Sequence, residues 1–116
     1  MSVDEEKFNI ARQLHSSGRI RESQKIYLYL SKIYKKNHTL FYLIGTTFLQ
    51  LKKFDKAIDN FNTSINLNSN FPEAHNNLGI ALAEKEKYLE ALVSYNKAIK
   101  IKNDYIDAYI NRGVSL

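Results

Sequence analysis

The chain has 116 residues, a length that holds one domain with a small core, and its 44% apolar and 25% charged residues are the balance of a soluble globular protein. With no cysteine, it has no disulfide, no thiolate metal site and no cysteine nucleophile. The net charge of +5 is carried by scattered lysines (Lys35–Lys36, Lys52–Lys53, Lys85, Lys87, Lys97, Lys100, Lys102) rather than by one basic face with interleaved arginine and aromatics, so nucleic acid is not the expected partner.

The N-terminal stretch MSVDEEKFNI is acidic and lacks the basic-then-apolar order of a signal peptide. Asp4, Glu5 and Glu6 read as first-turn carboxylates that suit a helix dipole, not as a metal site. No apolar run approaches the ~18 residues of a membrane span. The expected location is the cytoplasm. One proline and four glycines leave little room for loops and favour helices with short connections.

From here on the chain keeps a fixed step. Gly45, Gly79 and Gly113 stand 34 residues apart, twice. On the same step, Leu40, Ala74 and Ala108 align, as do Phe41, His75 and Tyr109. So do Ser23, Ala57 and Ala91; Tyr27, Phe61 and Tyr95; Ile33, Leu67 and Ile101; Ile10, Ile44 and Leu78; and Leu14, Phe48, Leu82 and Leu116. A gapless frame therefore predicts repeats at about 4–37, 38–71 and 72–105, followed by a partial repeat or capping helix at 106–116. Each repeat holds two apolar stretches at helical spacing, in the third Leu78, Leu82 and Tyr88, then Leu92, Tyr95 and Ile99. The polar breaks SSGR (16–19), KKF (52–54) and EKEKY (84–88) mark the turns between them. The period predicts helical hairpins, about seven helices in all.

Glycine inside a helix costs about 1 kcal/mol against alanine, so three at a fixed period need a compensating contact. The expectation is a close approach of the partner helix, with Ala57 or Ala91 facing the glycine and Phe61 or Tyr95 filling the groove beside it.

These residues resemble the tetratricopeptide repeat, whose pattern is W-x2-L-G-x2-Y…A-x3-F…P. The third repeat carries His75, Leu78, Gly79, Leu82, Ala91, Tyr95 and Ala98. The second carries Phe41, Ile44, Gly45, Phe48, Ala57, Phe61 and Ser64, and the first Ile10, Ala11, Leu14, Ser23 and Tyr27. The repeat-ending proline is absent (Lys35, Ser69, Asn103), and Pro72 falls instead at the start of a helix. The resemblance implies an all-α, right-handed solenoid of about three and a half antiparallel hairpins over 1–116. It also implies a protein-interaction scaffold that holds a protein or peptide partner in its concave groove.

In that family the first helix of each hairpin lines the groove. The positions carried over here include Glu5, Phe8, Asn9, Arg12 and His15; Thr39, Tyr42, Leu43, Thr46, Leu49 and Gln50; Glu73, Asn76, Asn77, Ile80 and Glu84; and Asp107, Ile110, Asn111 and Val114. Phe8, Asn9, Arg12, Tyr42, Thr46, Asn76, Asn77, Ile80 and Asn111 are the candidate peptide contacts. Asn9, Leu43, Asn77 and Asn111 form one column. An asparagine amide both donates and accepts, so such a ladder can pair with a peptide backbone whatever its side chains. It is similar to the asparagine ladder of O-linked N-acetylglucosamine transferases, with Leu43 as a break. At the positions of the family's carboxylate clamp stand Phe8, Arg12, Leu43, Glu73 and Asn77, of which Asn77 alone agrees, so chaperone-tail binding is not expected.

His15, His38 and His75 are too far apart in sequence to converge as His-x3-His, and the glycines serve the repeat rather than a phosphate loop. The expectation is no enzyme, no cofactor and no metal. Two other readings remain: the N-terminal portion of a longer enzyme, such as a glycosyltransferase or methyltransferase, or a self-assembling unit. Tyr109, Ile110, Val114 and Leu116 of the last helix carry more apolar surface than one neighbouring hairpin covers, which predicts that a second copy in a symmetric dimer, or downstream repeats of a longer parent, cover it.

Overall fold

A computed structural model describes residues 2–116. Its helices in chain order are α1 (Val3–Ser16), α2 (Ile20–Ser31), α3 (His38–Gln50), α4 (Phe54–Leu67), α5 (Pro72–Glu84), α6 (Tyr88–Ile101) and α7 (Ile106–Ser115). Among the described residues there is no strand. Each helix packs on the next in sequence, and α5 also touches α3 and α7. The stack is elongated, 44 × 25 × 21 Å. No helix is long and apolar enough to cross a membrane, among the described residues.

The turns inside the hairpins are built alike. Gly18 (φ +85°), Lys52 (φ 60°) and Glu86 (φ 61°) are one period apart and all left-handed. After each, a backbone N–H closes on the carbonyl five residues back: Arg19 on Leu14 (2.8 Å), Lys53 on Phe48 (2.8 Å) and Lys87 on Leu82 (2.9 Å). This closure satisfies helix-end carbonyls and starts the next helix at once. Glycine takes the left-handed conformation freely. Lys52 and Glu86 take it against Cβ crowding that costs about 1–2 kcal/mol per residue. Between hairpins, the helix starts differ. Asn37 Oδ1 accepts the Leu40 N–H (3.1 Å) to cap α3, and α5 starts on Pro72, whose missing N–H is harmless there.

The core follows the repeat. Tyr27, Phe61 and Tyr95 are buried at equivalent places on α2, α4 and α6, with Ala11, Ile44, Ala57, Leu78 and Ala91 around them. Burying a phenylalanine-sized side chain contributes about 1.5–3 kcal/mol. The glycine contact differs from the sequence expectation. A Cβ on Gly45 would lie 2.6 Å from two atoms of the Phe61 ring, and one on Gly79 would likewise run into the Tyr95 ring. The aromatic ring itself lies on the glycine and supplies the nearest atoms in both hairpins. A Cβ on Gly113 would meet nothing within 4 Å, because no second helix follows α7 in the structure.

The column of Ile10, Ile44 and Leu78 also divides. Ile44 and Leu78 are buried, while Ile10 is 51% exposed. Ile44 and Leu78 each have a preceding hairpin to pack on, and α1 has none in the structure. At the same place on α7, the Arg112 guanidinium donates to Asn96 Oδ1 (3.0 Å) and lies over the Tyr109 ring.

Candidate functional site

The first helices of the hairpins, α1, α3, α5 and α7, are tied to one another by side-chain bonds that step 35 residues. His15 Nε2 pairs with Gln50 Oε1 (2.7 Å) across α1 and α3. Asn77 Nδ2 donates to Tyr42 Oη (3.3 Å) across α3 and α5. Asn111 Nδ2 donates to Asn76 Oδ1 (3.1 Å) across α5 and α7. The step exceeds the repeat by one because neighbouring parallel helices meet through adjacent columns: Tyr42 and Asn76 share one column, Asn77 and Asn111 the next.

These bonds change the reading of the asparagine ladder. Amide donors of Asn77 and Asn111 are committed between hairpins. Asn76, a candidate contact, is 4% exposed and lies beneath the groove surface rather than on it. The Thr46 hydroxyl donates to the carbonyls of Tyr42 (2.8 Å) and Leu43 (3.0 Å) of its own helix. Tyr42, Thr46, Asn77, Ile80 and Asn111 are half-buried, and Asn9 and Arg12 are exposed. Phe8 is half-buried against the Tyr27 ring, with the Arg12 guanidinium 5.7 Å from its centroid. The last helix leaves Tyr109, Ile110, Val114 (83%) and Leu116 (85%) exposed.

Aromatic residues absent from the candidate contacts also shape this face. Phe71 packs edge-on against Tyr42 (5.0 Å) and His38 (5.0 Å). Tyr105, one period later, is hydrogen-bonded to Asn76 and lies near Tyr42, Glu73 and Asp107. Burial, with the negative field of those neighbours, pushes the Tyr105 hydroxyl up to about 12. Burial and Glu73 raise Tyr42 as well. Both phenols therefore stay neutral donors over the ordinary pH range. The signal was present in the sequence: Phe71 and Tyr105 are 34 residues apart, each just before a first helix. In that column the first repeat has Asn37.

Where Asn37 stands, the face holds a cavity of about 360 Å³ lined by Ser2, Asp4, Glu5, Phe8, Asn9, Leu30, Tyr34, Asn37 and Leu40. Leu30 and Leu40 are buried and form an apolar base. The Tyr34 hydroxyl donates to Asp4 Oδ2 (2.7 Å), and that bond raises the Tyr34 pKa.

The TPR repeat profile matches residues 45–86 and 81–116. The chain belongs to the tetratricopeptide repeat (TPR) family. Solved structures, TPR domains among them, share its shape over nearly its whole length. The first TPR of Spaghetti (RPAP3), bound to the HSP90 peptide SRMEEVD, superposes with a TM-score of 0.93 at 19% identity, covering 97% of this chain and 89% of that one. The Arabidopsis OM64 TPR domain gives 0.93 at 16% identity, covering 97% and 93%. MamA gives 0.92 at 20% identity, covering 97% and 66%. No curated protein sequence matches the chain. At these identities the structural likeness establishes the TPR solenoid fold: seven helices stacked as antiparallel hairpins.

Proposed function

We propose that this TPR solenoid is a protein-interaction scaffold that holds an extended segment of a protein partner along α1, α3, α5 and α7. The observation that carries the reading is the set of cross-helix bonds, His15–Gln50, Tyr42–Asn77 and Asn76–Asn111. They hold the first helices in register before any ligand arrives, and a preformed surface binds with less ordering cost. The half-buried Tyr42, Asn77, Ile80 and Asn111 then offer apolar area with a few oriented polar atoms. The Spaghetti TPR is bound to an acidic peptide. In this chain Glu73 and Asp107 stand on the same face, so that ligand class is not carried over. The reading assigns no reaction, cofactor or metal to the chain, and its cysteine-free composition suits the cytoplasm.

Selection from a displayed random-peptide library, followed by amide-shift mapping of the selected peptides on 15N-labelled protein, tests the reading. Expected are shifts concentrated on α3, α5 and α7 near Thr46, Asn77, Ile80 and Asn111. Shifts confined to the second helices would overturn it.

A second reading rests on α7. A Cβ added at Gly113 would meet nothing within 4 Å, whereas Gly45 and Gly79 lie under aromatic rings, and Ile110, Val114 and Leu116 are exposed beside it. We infer that this strip meets a second copy of the chain in a symmetric dimer.

A further inference from the structure

We propose that the cavity at the N-terminal end of the face is a subsite for one cationic side chain, an arginine or lysine, of the bound segment; the proposal rests on the groove reading above.

The cavity exists because the repeat is broken at one position. Between the second and third hairpins, Phe71 lays its ring on Tyr42. Between the third hairpin and α7, Tyr105 takes the same place against Asn76. The corresponding partners at the first junction are Asn37 and Phe8, and Asn37 turns its Oδ1 to the Leu40 N–H instead. No ring of the chain fills the space, and about 360 Å³ stays open over Phe8, Leu30 and Leu40. That volume is at the lower end of small-ligand pockets and suits one long side chain.

The rim decides which one. Asp4 and Glu5 both line the cavity, and no basic side chain is among its lining in the described residues. Asp4 accepts one hydrogen bond from Tyr34 and Glu5 one from Ser2, and a carboxylate accepts more than one. Lys7 is turned to the Tyr29 ring, and the Arg12 guanidinium lies over the ring of Phe8. A lysine or arginine lays its methylene stem on apolar surface and keeps its charge at a polar rim, the arrangement this cavity offers. Further carboxylates lie on the face: Glu5, Thr39, Glu73 and Asp107 occupy one column at the 34-residue step, acidic at all but Thr39, in a chain whose net charge is +5. These carboxylates stand on one face of a chain that is net positive, and charge complementarity of this kind selects partners.

The test uses blocked Ser/Ala nonapeptides that differ only at the central residue: arginine, lysine, citrulline or glutamate. Each is titrated into the 15N-labelled full chain. Expected are shifts at Glu5, Phe8, Asn9 and Leu40 with the arginine and lysine peptides. Citrulline, which keeps the shape of arginine and loses its charge, should bind about threefold to fivefold more weakly, the worth of a partly exposed ion pair. Glu5→Gln, an exposed change, should erase the arginine–citrulline difference. Asn37→Phe, with its melting curve checked against the parent, should block the subsite by restoring the ring of the other repeats. Shifts near Thr46 and Ile80 that are indifferent to charge would overturn the subsite and leave the groove reading standing. No shift with any of the peptides would also overturn the subsite, while the groove reading would stand or fall on the library selection.

Discussion

The Tyr95 ring lies on Gly79 so closely that a Cβ on the glycine would occupy the space of the ring. Gly79→Ala gains up to about 1 kcal/mol of helix propensity and meets overpacking of about 1–3 kcal/mol. A net loss of up to about 2 kcal/mol is expected in urea denaturation, and a larger one for Gly79→Val. Gly113→Ala, with open space around it, should be neutral or stabilising by up to about 1 kcal/mol. Equal losses at the two glycines would mean that the ring contact is not what selects glycine.

Lys52 and Glu86 hold the left-handed turn position that Gly18 fills in the first hairpin. Replacing either by glycine removes a cost of about 1–2 kcal/mol and adds back roughly 0.5–1 kcal/mol of unfolded-state freedom. Each of Lys52→Gly and Glu86→Gly should therefore raise stability, by up to about 1.5 kcal/mol, while Gly18→Ala lowers it. Thermal melts of the three variants decide the sign.

Asn76 is buried and bonded to both Asn111 and Tyr105. Asn76→Ala leaves those partners short of a bond at a cost of about 1–3 kcal/mol, and Asn111→Ala costs about 1 kcal/mol. A double-mutant cycle on the pair should give a coupling of about 0.5–1.5 kcal/mol. Coupling near zero would remove the bond from the account of how α5 and α7 are held together. Peptide affinity of Asn77→Ala and Asn111→Ala variants should be measured under conditions where the variants remain folded, since both amides also join hairpins.

Folding raises the pKa of Tyr105 to about 12, and raises those of Tyr27, Tyr42 and Tyr95, from an ordinary value near 10. The folded state therefore holds these protons more tightly than the unfolded state. Their contribution to stability is complete below about pH 10 and is lost as pH rises from there through about 12. Melting temperature should fall across that window, and Tyr105→Phe should make the fall shallower. An unchanged slope in Tyr105→Phe would assign the alkaline loss to other groups.

Light scattering at micromolar concentration tests the contact on α7. The parent should show a mass above that of a monomer, and a Tyr109→Lys, Val114→Lys variant should show the monomer mass. A monomeric parent refutes the dimer.

The 34-residue step made the hairpins legible from the sequence, because a helical repeat writes its core as columns: Gly45 with Gly79, Phe61 with Tyr95, Ala57 with Ala91. The same frame assigns residues to the outer face of the first helices, since one face of a helix is set by the same spacing that sets the other. Tertiary structure decided what each column does. It set the Phe61 and Tyr95 rings on the glycines, left Ile10 in solvent, and took Asn76 and amide donors of Asn77 and Asn111 for bonds between hairpins. It also opened the cavity at Asn37, where the columns of Phe71 and Tyr105 lack a ring. Period follows from backbone geometry, which is the same in every repeat. Exposure, hydrogen-bond partners and voids depend on which hairpin lies alongside, and at the ends of the stack and at a broken column that neighbour is different or missing.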